Sequence, residues 1–172
     1  FRYQEFRRHY GVNRYWWVSF FQVFLLQGVL ILLVSLPLLG AHFYTEKNEL
    51  MWLDYMAIII WITGFIFESF GDFQLAKFKN NPNNKGKVLD TGLWKYTRHP
   101  NYFGDTLIWW SYALFCLASG SYWPMVGSVL MTFLIIKVSG VALLEVSLKN
   151  KKPDYQEYVR KTNSFFPWFP KK

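Results

Sequence analysis

The longest apolar segment of the chain, residues 15–40, carries no charged side chain. A transmembrane helix needs about 20 consecutive apolar residues, and this segment is longer than that. Further apolar segments follow at residues 51–67, 102–118 and 122–144. They are continuous rather than alternating, which favours helices over the strands of a barrel. We therefore expect an all-α, polytopic membrane helix bundle of about four transmembrane helices, with a short cytoplasmic C-terminal helix.

Cations are concentrated in three segments. Residues 1–14 contain four Arg, the loop 71–104 contains six Lys or Arg, and the tail from residue 145 contains seven. The connections 41–50 and 119–121 contain one cation and none. If four helices alternate in direction, all three basic segments lie on one side, which the positive-inside rule makes cytoplasmic. Both ends of the chain are then cytoplasmic, and the net charge of +8 fits contact with anionic lipid without a nucleic acid.

Few residues suggest redox or metal chemistry. Cys116, the single cysteine, lies in an apolar segment and is interpreted as a small buried hydrophobe rather than a nucleophile. His9 and His42 have no nearby partner at ligand spacing, so we predict no metal site. The first fourteen residues are charged, and no cleavable signal peptide is recognised. In the tail, Pro153 suits the first turn of a helix, and the aromatic residues 165–169 are typical of an interfacial anchor.

The end of the second apolar segment carries polar residues on one helical face. Glu68, Asp72, Leu75 and Lys79 are spaced by four, three and four positions. One interpretation is a solvated exit turn in which Asp72 pairs with a lysine. The other is the polar wall of a ligand site at the membrane surface, because ionisable residues on such a stripe are costly unless they pair or bind.

The loop before the third apolar segment combines cations, aromatic rings and a predicted helix start. Pro100 can open the helix, which leaves Asn101 and Tyr102 in a first turn whose free N–H groups favour anions. Arg98 and His99 come directly before it. This arrangement suits a phosphate or carboxylate site, but a basic juxtamembrane turn with interfacial aromatics, here Trp94 and Tyr96, explains it equally well.

Four polar residues lie within the apolar segments or at their ends. Gln22 and Gln27 are candidates for an apolar-side substrate pocket, or for hydrogen bonds between helices. Lys137 is costly within a helix and either snorkels or meets a cofactor. Glu145 lies eight positions further on, about 80° around the helix, so a direct pair between the two is not assured.

The loop also carries a family resemblance. Residues 92–105, GLWKYTRHPNYFGD, resemble the signature of the membrane steroid 5α-reductase-like family, in particular its bacterial branch. The similarity extends to residues 21–28 (FQVFLLQG), 71–79 (GDFQLAKFK), 138–145 (VSGVALLE) and the tail 155–168. It covers essentially the whole chain. Sterol reductases and isoprenylcysteine carboxyl methyltransferases belong to the same superfamily.

The resemblance implies an NADPH pocket that opens to the cytoplasm within the helix bundle. Asn101 and Asp105 match the family's Asn-Tyr-Phe-Gly-acidic motif, and Asp72 and Lys79 match residues of the preceding helix. Glu68 stands where those reductases carry Asn, which weakens that contact. The implied cofactor-binding set is completed by the remaining candidates from the loop, the fourth segment and the tail: Trp94, Arg98, His99, Tyr102, Lys137, Glu145, Tyr155 and Tyr158.

On this resemblance the chain is expected to be an NAD(P)H-dependent reductase of a carbon–carbon double bond in a lipophilic, steroid-like enone. Such chemistry needs a hydride donor and an acid that polarises the carbonyl. The family's acid and its partner come from more N-terminal helices, and the catalytic residues are unassigned here. The alternatives are a SAM-dependent methyltransferase of a lipophilic substrate, and a non-catalytic membrane lipid-binding module.

The expected organisation is one membrane domain, residues 1–172, which forms the C-terminal cofactor-binding part of a longer family architecture. Within it, residues 71–104 are the cytoplasmic cofactor loop and residues 145–172 the cytoplasmic tail. The bacterial branch implies an inner-membrane location, with a lipophilic small molecule and membrane lipids as partners.

Overall fold

The structure is a computed structural model that describes residues 2–43, 49–139 and 154–171, together with Val141, Glu145 and Leu148. This part of the chain is helical and contains no strand. Its helices are α1 (Arg2–Ser19), α2 (Leu26–Val34), α3 (Leu36–Phe43), α4 (Trp52–Asn80), α5 (Pro100–Ala118), α6 (Val126–Phe133) and α7 (Tyr155–Lys161). The π-helical segments Phe20–Leu25 and Leu134–Ser139 follow α1 and α6, and short 3₁₀ turns cover Pro82–Asn84, Gly92–Lys95 and Trp123–Met125.

The first predicted span is broken before its expected end. One helical stretch of 28 residues covers Arg7–Val34, with a kink at Gly11 (φ 72°, ψ 159°), and a separate helix begins at Leu36. Pro37 has no backbone N–H to donate to an earlier carbonyl, so the helix cannot continue through it unchanged. A Cβ on Gly127 of α6 would lie 2.6 Å from the Pro37 side chain and 2.7 Å from the Leu33 carbonyl oxygen. The break is therefore packed tightly against α6.

The other three predicted spans are helical where they are described, with changed bounds. α4 has 29 residues and continues beyond the apolar segment to Asn80, so it includes the predicted polar face of Glu68, Asp72, Leu75 and Lys79. α5 begins at Pro100, as predicted from that proline. The fourth segment forms an apolar helix over Trp123–Val138, and most of its predicted remainder lies outside the described residues. Two helices, Arg7–Val34 and Trp52–Asn80, are long and apolar enough to cross a membrane.

Both of these long helices expose their apolar side chains. Only 6% of the most apolar window of Arg7–Val34 is buried, and 17% of that of Trp52–Asn80. Trp16, Phe24 and Ile31 are each exposed by about two-thirds of their surface. A helix that is hydrophobic all round is normally covered by protein or by lipid, and in this structure protein covers little of either.

α4 and α5 pack closely through small residues. A Cβ on Gly104 would lie 2.5 Å from the Gly64 carbonyl oxygen, and one on Gly71 would lie 3.1 Å from the Asn101 nitrogen. Glycines allow two helix backbones to approach at this distance. The Trp61 indole also donates a hydrogen bond of 3.2 Å to the Tyr112 hydroxyl. This packing places the polar end of α4 beside the first turn of α5.

The tail packs against the same end of the bundle. Phe165 is buried in an apolar cluster with Ile135 and Val141, and its ring lies 5.9 Å from that of Phe103. Phe166, Trp168 and Phe169 are between 69% and 74% exposed. The predicted aromatic anchor is thus divided, because its first member is a core residue. Pro153 lies outside the described residues, while the predicted tail helix is present from Tyr155.

Candidate functional site

The loop before α5 is attached to α4 by three hydrogen bonds. The Leu93 backbone N–H donates to the Gln74 side-chain oxygen (3.0 Å), and the Trp94 indole donates to the Gly71 carbonyl (3.1 Å). The Asn101 amide donates to the Asp72 carboxylate (2.8 Å). Asp72 is therefore bound to the start of α5 rather than to a lysine. These bonds place the aromatic part of the loop beside the polar face of α4.

The tail is attached to the loop in turn. The Thr97 hydroxyl, which is fully buried, donates to the Phe165 carbonyl (2.8 Å). The Tyr158 hydroxyl donates to the Trp94 carbonyl (2.5 Å), and the Trp168 N–H donates to the Tyr96 carbonyl (3.0 Å). Loop and tail thus form one unit, although more than sixty residues separate the partners in sequence.

Arg98 lies at the centre of this unit. Its guanidinium donates two hydrogen bonds to one oxygen of Glu145, at 2.9 and 2.6 Å, and others to the carbonyls of Val159 (3.0 Å) and Thr162 (2.5 Å). Arg98 is only 7% exposed. We predicted a phosphate contact for this residue, but its hydrogen-bonding groups are directed at the protein's own tail. Its observed role is to hold α7 against the loop.

Glu145 is the counter-ion of Arg98. Burial acts to raise the pKa of the Glu145 carboxyl, but the hydrogen bonds and charge of Arg98, with a further bond from Ser164 (3.1 Å), bring it below its usual value. Because Glu145 is ionised and paired with Arg98, it is not the partner of Lys137. Buried ion pairs of this kind are costly to interrupt, since removing one partner leaves an unpaired charge.

His99 is buried next to the pair and is neutral at physiological pH. Burial lowers the pKa of its imidazole from 6.5 to about 4, although the nearby Glu145 carboxylate acts in the opposite direction. Its Nε2 lies 3.5 Å from that carboxylate, and its ring stacks on Tyr102 with centroids 5.7 Å apart. A neutral imidazole carries one donor nitrogen and one acceptor nitrogen.

A cavity of about 340 Å³ lies between α4, the loop and α7. Ligand pockets commonly have volumes of about 300–1,000 Å³. We call it the polar cavity, and its lining combines a polar and aromatic set with four aliphatic side chains: Lys79, Trp94, Arg98, His99, Asn101, Tyr102, Tyr155 and Tyr158, with Leu75, Val88, Leu89 and Leu148.

Unpartnered polar atoms are concentrated in this cavity. Four buried side-chain polar atoms of the described residues have no hydrogen-bond partner, and three of them belong to lining residues: His99 Nε2, Asn101 Oδ1 and the Tyr155 hydroxyl. Both His99 and Tyr155 are only 3% exposed. Burial, followed by the negative charge of Glu145, raises the pKa of Tyr155 to about 12, so its hydroxyl stays protonated. His99 Nε2 lies 3.5 Å from the Glu145 carboxylate, and Arg98 lies close enough to the Tyr155 hydroxyl to act on its pKa. The three atoms are therefore polar groups that a ligand in the cavity would meet.

Three predicted acidic residues lie beside the cavity rather than in its lining. Glu68 is within electrostatic reach of Asp105 and Asp72, and Tyr102, which lines the cavity, is within reach of the same two aspartates. Asp72 is connected to the lining through its hydrogen bond with Asn101. Among the described residues, no group of three or more His, Cys, Asp or Glu side chains is arranged to hold a metal ion.

The remaining predicted residues lie elsewhere. Gln22 is half-buried and Gln27 is exposed on the first helical stretch, and neither lines the polar cavity. Lys137 is exposed in the π-helical segment after α6 and is also absent from the lining. The cost of placing a lysine within an apolar helix does not show which way the residue faces.

Some contributing residues were missed in the sequence. Thr97 and Ser164 carry polar contacts that connect loop, tail and ion pair. Both lie inside the resembling segments 92–105 and 155–168, but neither was assigned a role of its own. Val88 and Leu89 line the cavity from a stretch without helical periodicity. The sequence indicated these two residues only by their position, because they lie between the polar face of α4 and the motif that precedes α5.

The described chain is an all-helical protein with two helices able to cross a membrane, and at one end it carries a cavity with buried, unpartnered polar groups. Residues 1–162 match a family described as "Protein of unknown function (DUF1295)", and the chain belongs to this family. It is the steroid 5α-reductase-like family to which residues 92–105 point.

Three relatives match different lengths of the chain. An uncharacterized protein of Schizosaccharomyces pombe is 26% identical over 177 residues, which cover 92% of this chain and 50% of that protein. A probable O-methyltransferase of Ustilaginoidea virens is 42% identical over 62 residues, 36% of this chain and 21% of its own. A Delta(14)-sterol reductase of Septoria lycopersici is 35% identical over 81 residues, 38% and 16% respectively. The chain therefore spans half or less of these relatives, and no solved structure matches it significantly.

Proposed function

We propose that the chain is a membrane-embedded, NAD(P)H-dependent reductase of a carbon–carbon double bond in a lipophilic, steroid-like enone. The observation that carries this proposal is the polar cavity with its three unpartnered buried atoms at the end of the apolar helices. The family and the partial similarity to a sterol reductase support the same reaction class. The exposed apolar surfaces of Arg7–Val34 and Trp52–Asn80 support a membrane location.

The lining of the cavity fits part of a dinucleotide. The unpartnered groups of His99, Asn101 and Tyr155 supply donors and acceptors for amide, hydroxyl or ring nitrogen atoms. Trp94 offers an aromatic face, and Lys79 brings a cation without a described salt-bridge partner. When bound, the cofactor supplies the hydride. The protein's part is to orient it and to keep the reacting face away from water.

Arg98 has an indirect role in this proposal. Its hydrogen bonds to Glu145, Val159 and Thr162 leave it as the residue that holds α7, and with it Tyr155 and Tyr158, over the cavity. The predicted contact of Arg98 with phosphates is therefore replaced here by a positioning role. Phosphate charge would be met by Lys79 and by the first turn of α5.

One observation favours a second candidate, a SAM-dependent methyltransferase of a lipophilic substrate. The probable O-methyltransferase has the highest local identity of the three relatives, 42% over 62 residues. Neutral donors and acceptors in a cavity whose lining surface is mostly apolar also suit an adenosine group. A non-catalytic lipid-binding module is the third candidate, since the chain spans about half of its relative from Schizosaccharomyces pombe.

Binding of NADPH, NADH and SAM to detergent-solubilised protein separates these candidates. The sharpest variant is Tyr155→Phe, because the hydroxyl that it removes lines the cavity and forms no hydrogen bond of good geometry with the protein. We expect unchanged thermal stability and a roughly fivefold weaker affinity for NADPH. This factor corresponds to the loss of one hydrogen bond, which contributes about 1 kcal/mol.

Asn101→Ala extends the test, because it removes both the free Oδ1 and the bond to Asp72. We expect it to weaken NADPH binding more than Tyr155→Phe does. Asn83→Ala is the matched control, since Asn83 is exposed and its hydrogen bond to the Asn81 side chain uses only the backbone N–H. Binding of SAM alone would overturn the reductase, and binding of no cofactor would leave the lipid-binding module.

A further inference from the structure

Three exposed aromatic residues in the tail have no role in the polar cavity. Phe166, Trp168 and Phe169, which we call the tail aromatics, are 70%, 69% and 74% exposed. Such a group of large apolar side chains normally marks a site of interaction with a partner or a membrane. Unlike the exposed side chains of the first helical stretch, the tail aromatics belong to the polar unit of loop and tail and not to a predicted membrane span.

The backbone that carries the tail aromatics is held in place. The Trp168 N–H donates to the Tyr96 carbonyl (3.0 Å), and the Lys171 N–H donates to the Lys161 carbonyl (2.8 Å). The Phe165 carbonyl accepts a bond from Thr97, and the Phe169 ring meets Tyr96 edge-on, with centroids 6.1 Å apart. The rings are therefore presented outward by a folded segment, and their exposure does not come from a loose chain end.

The patch is continuous with the apolar surface of the helices. Phe166 contacts the ring of Phe103 in the first turn of α5, with centroids 6.2 Å apart, and Phe103 contacts Phe67 of α4 at 5.2 Å. On α4 the exposed apolar side chains continue as far as Phe73. The tail aromatics thus extend the surface of the proposed spans at its polar end, where interfacial aromatic residues are commonly found.

Cations lie around the same patch. Lys95 precedes Tyr96, and Lys161 and Lys171 are joined by their backbone bond. All three lysines are exposed, although Lys161 also pairs with Glu157 at 2.6 Å. Lysines beside apolar rings match anionic headgroups over an acyl boundary. They match the apolar face of a second copy less well, because the lysines of both copies would meet there.

We propose that the tail aromatics insert into the headgroup region of an anionic lipid surface and hold the tail, with the α7 wall of the polar cavity, against the membrane. The occupant is the membrane in which the long helices lie. This inference requires the membrane location but no particular cofactor, so a failure of NADPH binding would leave it intact.

The test is the fluorescence of Trp168 in nanodiscs of phosphatidylcholine and phosphatidylglycerol in equal parts. The chain has nine tryptophans, so the Trp168 signal is taken as wild type minus Trp168→Phe. We expect lipids brominated near the headgroup to quench most of this signal and aqueous acrylamide to quench little of it. The Trp94→Phe difference is the control, because Trp94 lies at the same end but faces the polar cavity.

Two results would overturn the proposal. Quenching by acrylamide without quenching by bromolipid would place the ring in water. Protection from both quenchers, together with a dimer mass, would identify a second copy as the occupant. The contribution of charge is tested by Lys171→Gln and by nanodiscs of phosphatidylcholine alone, both of which should lessen the bromolipid quenching. If bromolipid quenching is unchanged both in Lys171→Gln and in phosphatidylcholine nanodiscs, the proposed preference for anionic lipid is refuted.

Discussion

Two regions of this chain are stabilised by different kinds of interaction. The helical stretch Arg7–Val34 carries no charged residue after Arg14, and 6% of its most apolar window is buried. At the other extreme, Thr97, Arg98 and His99 are consecutive polar residues that are each at least 93% buried. The first region depends on backbone hydrogen bonds and on its surroundings. The second depends on side-chain contacts between specific residues that are distant in sequence.

The difference shows where single substitutions should matter. A lipid-facing helix presents similar side chains all round, so one change alters little of its packing. In the loop and tail unit the buried polar groups have specific partners, and a lost partner leaves a buried group without compensation. Substitutions in the two regions should therefore differ in size and, for glycine, even in sign.

The largest effect is expected for Glu145→Ala. Arg98 would keep its carbonyl partners but lose its only described counter-ion. Because the Arg98 side chain is only 7% exposed, water would replace that partner poorly. Removal of one member of a buried ion pair costs about 3–5 kcal/mol. A scan of thermal unfolding in detergent should show a lower midpoint for Glu145→Ala than for the glycine variants described below.

Glu157→Ala is the control for that experiment. Glu157 pairs with Lys161 at 2.6 Å, the same distance as the buried pair, but both side chains are more than half exposed. We expect no measurable change in its unfolding midpoint. Equal losses for the two glutamates would mean that burial does not distinguish the two pairs.

A pH effect of similar size is expected from His99. Its pKa is about 4 in the folded chain and 6.5 ordinarily, so between these values the unfolded chain binds a proton that the folded chain does not. Stability should therefore fall as the pH falls from about 6.5 to 4, by up to about 3 kcal/mol, and stay level above that window. The lowered pKa of Glu145 acts only below its ordinary value of 4.5.

Unfolding midpoints at pH 7 and pH 5 check this for the wild type and for His99→Gln, which keeps a polar group near the position of Nε2. The wild type should lose stability at pH 5, and the variant should lose much less. Equal losses in both would assign the pH dependence to other groups.

Local patterns predicted the local parts of this site. The proline at position 100 indicated where α5 begins, and the spacing of Glu68, Asp72 and Lys79 indicated one helical face. Both inferences need only the neighbouring residues. The distant pairs were beyond such patterns, because Arg98 and Glu145 are 47 positions apart and Tyr158 and Trp94 are 64 apart.

Helix ends and orientations also required packing information. Pro37 is a local cause of the break in the first helix, but the close packing of that break against Gly127, which lies far along the chain, could not be inferred from neighbouring residues. Lys137 could be recognised as costly within an apolar helix, but its exposed position on that helix could not. Hydropathy finds apolar segments well, and it carries no information about which of their side chains face a neighbour.

The third prediction concerns the contact between α4 and α5. In Gly104→Ala the new methyl group would lie 2.5 Å from the Gly64 carbonyl oxygen, which is backbone and cannot rotate away. The helices would have to separate, at a cost of about 1–3 kcal/mol as for other overpacked sites. A lowered unfolding midpoint is expected, and an unchanged one would show that the contact has room.

Gly28→Ala should have the smallest effect and the opposite sign. A Cβ at Gly28 would meet nothing within 4 Å, and its φ does not lie in the left-handed region. Alanine forms helices better than glycine by up to about 1 kcal/mol, so the unfolding midpoint should rise slightly. Because the same substitution loses stability at Gly104, the pair compares the two regions with the chemical change held constant. A loss of stability at Gly28 as well would mean that this helix packs against protein after all, and the contrast between the regions would fail.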